Sequence, residues 1–181
     1  MKSKNGQRRD RSSEVLRGLK KSGIITKIGI SSYSIDEIRK VLNSFSLDII
    51  QTPLNVIDRS LVVSNIIDDL KKKDIEIHVR SIFLQGALLL SENKIPSELN
   101  NWAHIWRKWD DWLKKNDTDP IHACLSYVKS IKGIDKIIIG VDSLEQIMMI
   151  VDKYNKKSLI DFPDISSDDH LLINPSNWQK I

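Results

Sequence analysis

The chain has 181 residues, 40% hydrophobic and 29% charged, with a net charge of +4. That length allows one domain with a real core. No apolar run approaches the ~20 residues that span a bilayer, the polar N-terminus lacks the apolar stretch of a secretory signal, and the single Cys124 excludes an internal disulfide and fits a reducing cytoplasm.

Eight cations (Lys2, Lys4, Arg8, Arg9, Arg11, Arg17, Lys20, Lys21) and two anions (Asp10, Glu14) fall within residues 1–21. Their balance exceeds the net charge of the whole chain, so the remainder is net acidic. A basic arm of this kind is either a nucleic-acid contact or a solvated leader. No aromatic residues interleave with the cations, which favours the leader and argues against a nucleic-acid partner. Residues 1–11 lack periodicity and predict a disordered basic leader. Residues 12–181 then form the folded domain. Ser12 or Ser13 caps a helix to Lys21, with Val15, Leu16 and Leu19 on one face and Gly23 after its end.

Four strand-then-helix units follow. The first strand spans 26–30 and leads into Ser31-Ser32-Tyr33. Ser34 and Glu37 have capping-box spacing before a helix burying Ile35, Ile38, Val41 and Leu42. The second strand, 49–52, ends at Gln51-Thr52-Pro53, and its helix runs from 60 to 73. The third, 75–80, leads into Ser81-Ile82-Phe83-Leu84-Gln85-Gly86. A tryptophan-rich helix comes next. Trp102, Ile105, Trp106, Trp109, Trp112 and Leu113 recur at helical spacing, as a ligand-stacking surface would, though such a stripe more commonly packs against the body. Pro120 suits the first position of a further helix. The fourth strand, 136–139, ends at Gly140, and Ser143 to Gln146 form a second capping box before a helix to Tyr154. A tail with Pro163 and Pro175 follows, and Trp178 is expected to dock on the body.

This alternation specifies α/β architecture with a parallel sheet. In such folds ligands bind where strands end, and Ser31, Gln51, Ser81 and Gly140 lie there. Ser34 and Ser143 mark helix N-termini whose free amides suit anions. The chemistry beyond this is sparse. His78, His104, His122 and His170 show no metal spacing, and Cys124 lies among apolar neighbours. No G-x-G-x-x-G or P-loop occurs. No acid, base or nucleophile constellation is found, so no catalytic residue and no metal ligand is assigned.

Four segments resemble one family. Lys27-Ile28-Gly29-Ile30-Ser31-Ser32-Tyr33-Ser34 is similar to the K-x-I-G-V-S-N-F-S segment of aldo-keto reductases. Ile50-Gln51 with Asn55 resembles Q-x-x-Y-N. Arg80-Ser81-Ile82-Phe83-Leu84-Gln85-Gly86 resembles x-S-P-L-x-x-G. The run from Ile138 to Ile147 resembles I-P-G-x-x-S-x-E-Q-L. The resemblance covers about residues 12–178 and implies a partial TIM (β/α)8 barrel: strands five to eight, a Trp-rich helical insertion and a closing tail. It implies an NADP-dependent oxidoreductase domain that reduces a small carbonyl substrate to an alcohol by hydride transfer. It places Ser31 and Gln51 at the nicotinamide amide, Ser81, Phe83 and Gly86 at the pyrophosphate, and Gly140, Ser143 and Gln146 near the adenosine 2′-phosphate. The family's catalytic Asp, Tyr, Lys and His belong to the first four strands, so the resemblance implies a chain inactive by itself. Ser32 stands where the family has Asn beside the nicotinamide. Asp142 puts a negative charge near the phosphate, and Met149 and Ile150 replace a frequent Glu-Asn.

Four strands do not close a barrel. Strands 26–30 and 136–139 are expected to present open edges, and the sheet an apolar interior face, to water. Such edges recruit other strands. A homo-oligomer, or pairing with a separate N-terminal half, is therefore expected, and a non-enzymatic interaction module is the alternative to the reductase.

Overall fold

The computed structural model describes residues 4–159 and 161–180, with side chains over 12–159 and 161–178. Helix α1 (Lys4–Lys21) precedes β1 (Gly29–Ser31), α2 (Ile35–Leu42) and β2 (Ile49–Pro53). Short helices α3 (Ser60–Val63) and α4 (Ile66–Lys72) lead to β3 (Glu76–Arg80). After three 3-10 turns come α5 (Ala103–Lys115), α6 (Pro120–Ser130), β4 (Lys136–Ile137), α7 (Leu144–Asn155) and α8 (His170–Ile173). The four strands form one sheet in the order β1-β2-β3-β4, every neighbouring pair parallel. This is the α/β arrangement of about four parallel βα units that the sequence predicts.

The register sorts the strand residues onto two faces. Ile30, Ile50, Ile77 and Val79 share one face, and Ile50, Ile77 and Val79 are fully buried in a core with Ile38, Leu61 and Leu70 of the helices. The other face aligns Ser31, Gln51 and His78, with Glu76 and Arg80 two residues to either side of His78 and Lys136 beside it. Here the structure departs from the expected apolar interior: apart from Gly29, Ile49 and Pro53, the strand residues on this face are polar. Lys27 pairs with Glu76, whose other oxygen lies 3.0 Å from His78 Nε2. Paired charges can sit on a half-open face because neither partner is stripped of water alone.

Three aspartates fasten elements together by one device. Asp48 accepts from the Ile28 amide (2.8 Å) and from Lys20 (2.5 Å), tying α1 to the β1–β2 pair. Asp135 accepts from the Ile77 amide (2.7 Å) and pairs with Lys71 (2.8 Å), joining α4, β3 and β4. Asp119 caps α6 through the His122 amide (3.0 Å) and pairs with Lys153 of α7 (2.7 Å).

The tryptophan stripe is structural. Trp106 and Trp109 are fully buried, and Trp109 Nε1 donates to Leu88 O at 3.0 Å. Trp178 docks as expected, donating to Leu172 O at 3.0 Å. Cys124 is buried, and burial raises its thiol far above its usual range.

Several boundaries differ from expectation. β1 starts at Gly29 rather than 26, because its pairing with β2 begins at Gly29↔Ile49 and the Ile28 amide upstream is taken by Asp48. The helix expected over 60–73 is two helices, broken where Asn65 adopts φ 54°. Asn is among the few residues that enter that region at low cost. Helix α1 reaches back to Lys4, so residues 4–11, expected as a disordered leader, have helical backbone. Their Lys, Arg and Gln are good helix formers even without an apolar face. Residues 1–3 of that leader lie outside the described residues.

Candidate functional site

The C-terminal ends of the strands carry the site. Ser31, the last residue of β1, lies beside Gln51 of β2, and its hydroxyl donates to Gln51 Oε1 at 3.3 Å. The next residue turns away: Ser32 is buried, and its hydroxyl donates to Glu37 Oε2 at 2.5 Å while accepting from the Ser34 amide at 3.0 Å. Ser34 caps α2 by accepting from the Glu37 amide at 3.3 Å. The return half of the expected capping box therefore runs through the Ser32 hydroxyl, and Ser32 is committed to bracing the turn.

After β3 the chain makes a tight turn in which Ser81, Leu84, Gln85 and Gly86 all have positive φ, between 46° and 89°. Three of the four are non-glycine residues in a sparsely populated region, a cost that persists where surroundings enforce it. The enforcement is visible. Leu84 N donates to Ser81 O, Gly86 N to Phe83 O, and the Asn55 amide nitrogen to the same Ser81 O at 3.1 Å. Asn55 is itself buried and accepts from the Ile57 and Asp58 amides. One side chain thus organises the loop after β2 and ties it to the loop after β3.

At the fourth strand end, Ser143 caps α7 by accepting from the Gln146 amide at 3.2 Å. Gln146 Oε1 accepts from the Asp142 amide at 2.8 Å, bracing the loop that holds Gly140. An added Cβ at Gly140 would meet nothing within 4 Å, so the space beside it is open.

An open cavity of about 760 Å³ lies between the β3 and β4 ends. Of the residues singled out from sequence, it brings together Ser81, Phe83, Gly86, Gly140 and Gln146. Ser31, Gln51 and Ser143 lie outside its lining. Arg80, not singled out from sequence as a site residue, connects the two groups. It lines the cavity, its Nη1 donates to Ser81 Oγ (3.2 Å) and its Nε to Ser31 Oγ (3.4 Å). Its guanidinium carbon lies 4.0 Å from the centre of the Tyr33 ring. The signal for Arg80 in sequence was its position at a strand end, one residue before a serine. Asp58, buried nearby, accepts from the Ser60 amide and hydroxyl, and burial raises its carboxyl above the usual carboxylate range. Among the described residues no group of three or more His, Cys, Asp or Glu is placed to hold a metal ion, and no helix is long and apolar enough to cross a membrane.

The fold and site define a βα-unit protein of barrel type, with polar groups gathered at the strand ends where such folds take ligands. The chain belongs to the aldo-keto reductase family, whose sequence model matches residues 10–164. No curated protein matches it. Solved structures do. An aldo-keto reductase from Bacillus halodurans in its apo form superposes with a TM-score of 0.66 at 21% identity, over 83% of this chain and 53% of that one. Its holo form gives 0.65 at 19%, over 94% and 55%. A glycerol dehydrogenase from Gluconobacter oxydans gives 0.64 at 17%, over 83% and 50%. These likenesses establish the fold, and the chain spans about half the length of each of those structures.

Proposed function

We propose that this chain is the cofactor-side portion, strands five to eight, of an NADP-dependent aldo-keto reductase. Four further βα units outside this chain would close the barrel and supply the catalytic Asp, Tyr, Lys and His. The observation that supports the reading is the sheet itself: among the described residues β1 and β4 are each paired on one side only, and polar residues stand at the strand ends.

The donor set suits an anionic dinucleotide: a guanidinium, serine hydroxyls, a turn rich in positive φ, and the capped N-terminus of α7 beside open space at Gly140. Ser31 and Gln51 would hold the nicotinamide amide, Ser81, Phe83 and Gly86 the pyrophosphate, and Gly140, Ser143 and Gln146 the adenosine end. When bound, NADPH supplies the hydride that reduces a small carbonyl substrate to an alcohol. In this reading the chain binds and orients the cofactor, the carbonyl's proton donor comes from the four further units, and the chain alone is inactive.

A second reading, a self-associating module without catalysis, draws on α7. That helix buries no residue, and Leu144, Met148 and Val151, on one face, are 68%, 63% and 51% exposed. Either reading implies a partner, and either is compatible with a cytoplasmic protein. The test is recovery of the native protein from its cells with its intact mass. A longer polypeptide, or a stoichiometric partner bearing the missing four units, together with NADPH-dependent carbonyl reduction, supports the reductase. A 20.8 kDa chain that assembles only with itself and binds no NADPH supports the module.

A further inference from the structure

Arg80 is a cation at the strand ends whose surroundings leave its charge unanswered. Elsewhere on the sheet's polar face Lys27 pairs with Glu76, and Glu76 also with His78. Arg80 is half-buried at the C-terminal end of β3, lines the cavity, and is held by two serine hydroxyls and the face of a tyrosine. All three partners are neutral. Among the described residues no carboxylate forms an ion pair with it. Asp58 lies close enough to feel its field but spends its carboxylate on Ser60. Asp142 lines the same cavity without pairing with it.

This arrangement positions the guanidinium without neutralising it. Stacking on Tyr33 fixes the plane of the fork, and the hydroxyls of Ser31 and Ser81 fix its rotation from two different strand ends. A planar, fixed fork of N–H donors is the group best matched to a carboxylate or phosphate. We propose that Arg80, oriented by Tyr33, Ser31 and Ser81, is an oxyanion receptor at the mouth of the cavity. It would grip either the cofactor's pyrophosphate or a carboxylate carried by the carbonyl substrate. The proposal rests on the functional reading above for the identity of the ligand, but not for the existence of the receptor.

The test titrates the chain and its Arg80→Met and Arg80→Lys variants with three probes at low salt: inorganic pyrophosphate, pyruvate and NADPH. Unfolding midpoints of all three proteins check that they are equally folded, and the lysine variant serves if the methionine variant is not. Wild type binds pyrophosphate or pyruvate. Arg80→Met weakens that binding roughly ten- to a hundredfold, and Arg80→Lys recovers only part of it, because the charge returns without the fork. Loss confined to pyrophosphate and NADPH assigns the receptor to the cofactor; loss confined to pyruvate assigns it to the substrate. The receptor is overturned if wild type binds neither oxyanion, or if a folded Arg80→Met binds both as tightly. NADPH failing to bind while an Arg80-dependent oxyanion still does would sink the cofactor reading alone.

Discussion

Gly29 shows how one missing side chain sets a strand pairing. A Cβ built there would lie 2.7 Å from the Ile49 carbonyl oxygen and 2.9 Å from the Ile49 Cβ, where strands β1 and β2 begin to pair. The obstruction is backbone, which cannot swing aside. Gly29→Ala is expected to cost about 1–3 kcal/mol, read as a lower urea midpoint. Asn55→Ala removes the donor to Ser81 O and the acceptor for two buried amides; stranding such groups costs about 1–3 kcal/mol each. Any nucleotide or oxyanion binding at the Ser81 turn should weaken along with stability. Glu76 is held at about 2, from 4.5, by its bond to Lys27 first and His78 second. A carboxyl lowered on folding stabilises the protein above its unfolded value, and that share is lost as pH falls from about 4.5 toward 2. Glu76→Gln should therefore flatten the acid side of a stability–pH curve in that window and leave neutral pH the less stable. An unchanged acid limb would refute the linkage. Among the described residues Asp142 sits in the cavity without a cationic partner, so Asp142→Asn should tighten NADPH binding severalfold, worth about 1 kcal/mol, and do so more for NADPH than for NADH.

Among the elements, α7 is loosely held, with Ile150 packed against the core. It contributes no buried residue and is held by its Ser143 cap, the Lys153–Asp119 pair and the Lys129 bond to Tyr154 O. Its amides should exchange with solvent faster than those of β2 and β3, whose Ile50, Ile77 and Val79 are fully buried. Ser143→Ala should speed that exchange further, by about 1 kcal/mol of helix stability. Equal protection of α7 and β3 would contradict this. The elements also show what a sequence can carry. The strands β2 and β3, the caps at Ser34 and Ser143 and the start of α6 at Pro120 were legible, because β-branched runs, capping-box spacings and a proline at a helix start act within a few residues. The break at Asn65 was not, since a single αL residue leaves the apolar spacing on either side intact. The polar face of the sheet was not legible either. Glu76 and His78 alternate with Ile77 and Val79, but which set faces the helices depends on pairing with β2 and β4. Arg80 needed the fold most: Ser31 and Tyr33 reach it only because β1 and β3 flank β2 in a register that sets Ser31 level with His78, two residues before Arg80.

At the scale of the whole molecule, a four-stranded sheet with two half-paired edges and an apolar α7 face is incomplete as a solvent-exposed object. The isolated chain should sediment as more than a monomer, and Met148→Glu together with Val151→Lys should shift it toward monomer with no loss of helix content. A monodisperse monomer before substitution would count against both readings of function. The closing tail, by contrast, is well anchored. Arg59 donates to Pro163 O at 2.6 Å and lies over the Tyr127 ring, and Phe162 packs edge-on to Tyr127 and against Trp112. Trp112 in turn stacks on Trp109, centroids 5.5 Å apart and planes within 5°. Two indoles that close and that parallel couple electronically when they absorb light, so the pair should give a split dichroism band at the strong far-ultraviolet indole transition. Because the outer ring of that pair rests against the tail, the protein carries its own optical gauge of tail docking, readable without any label.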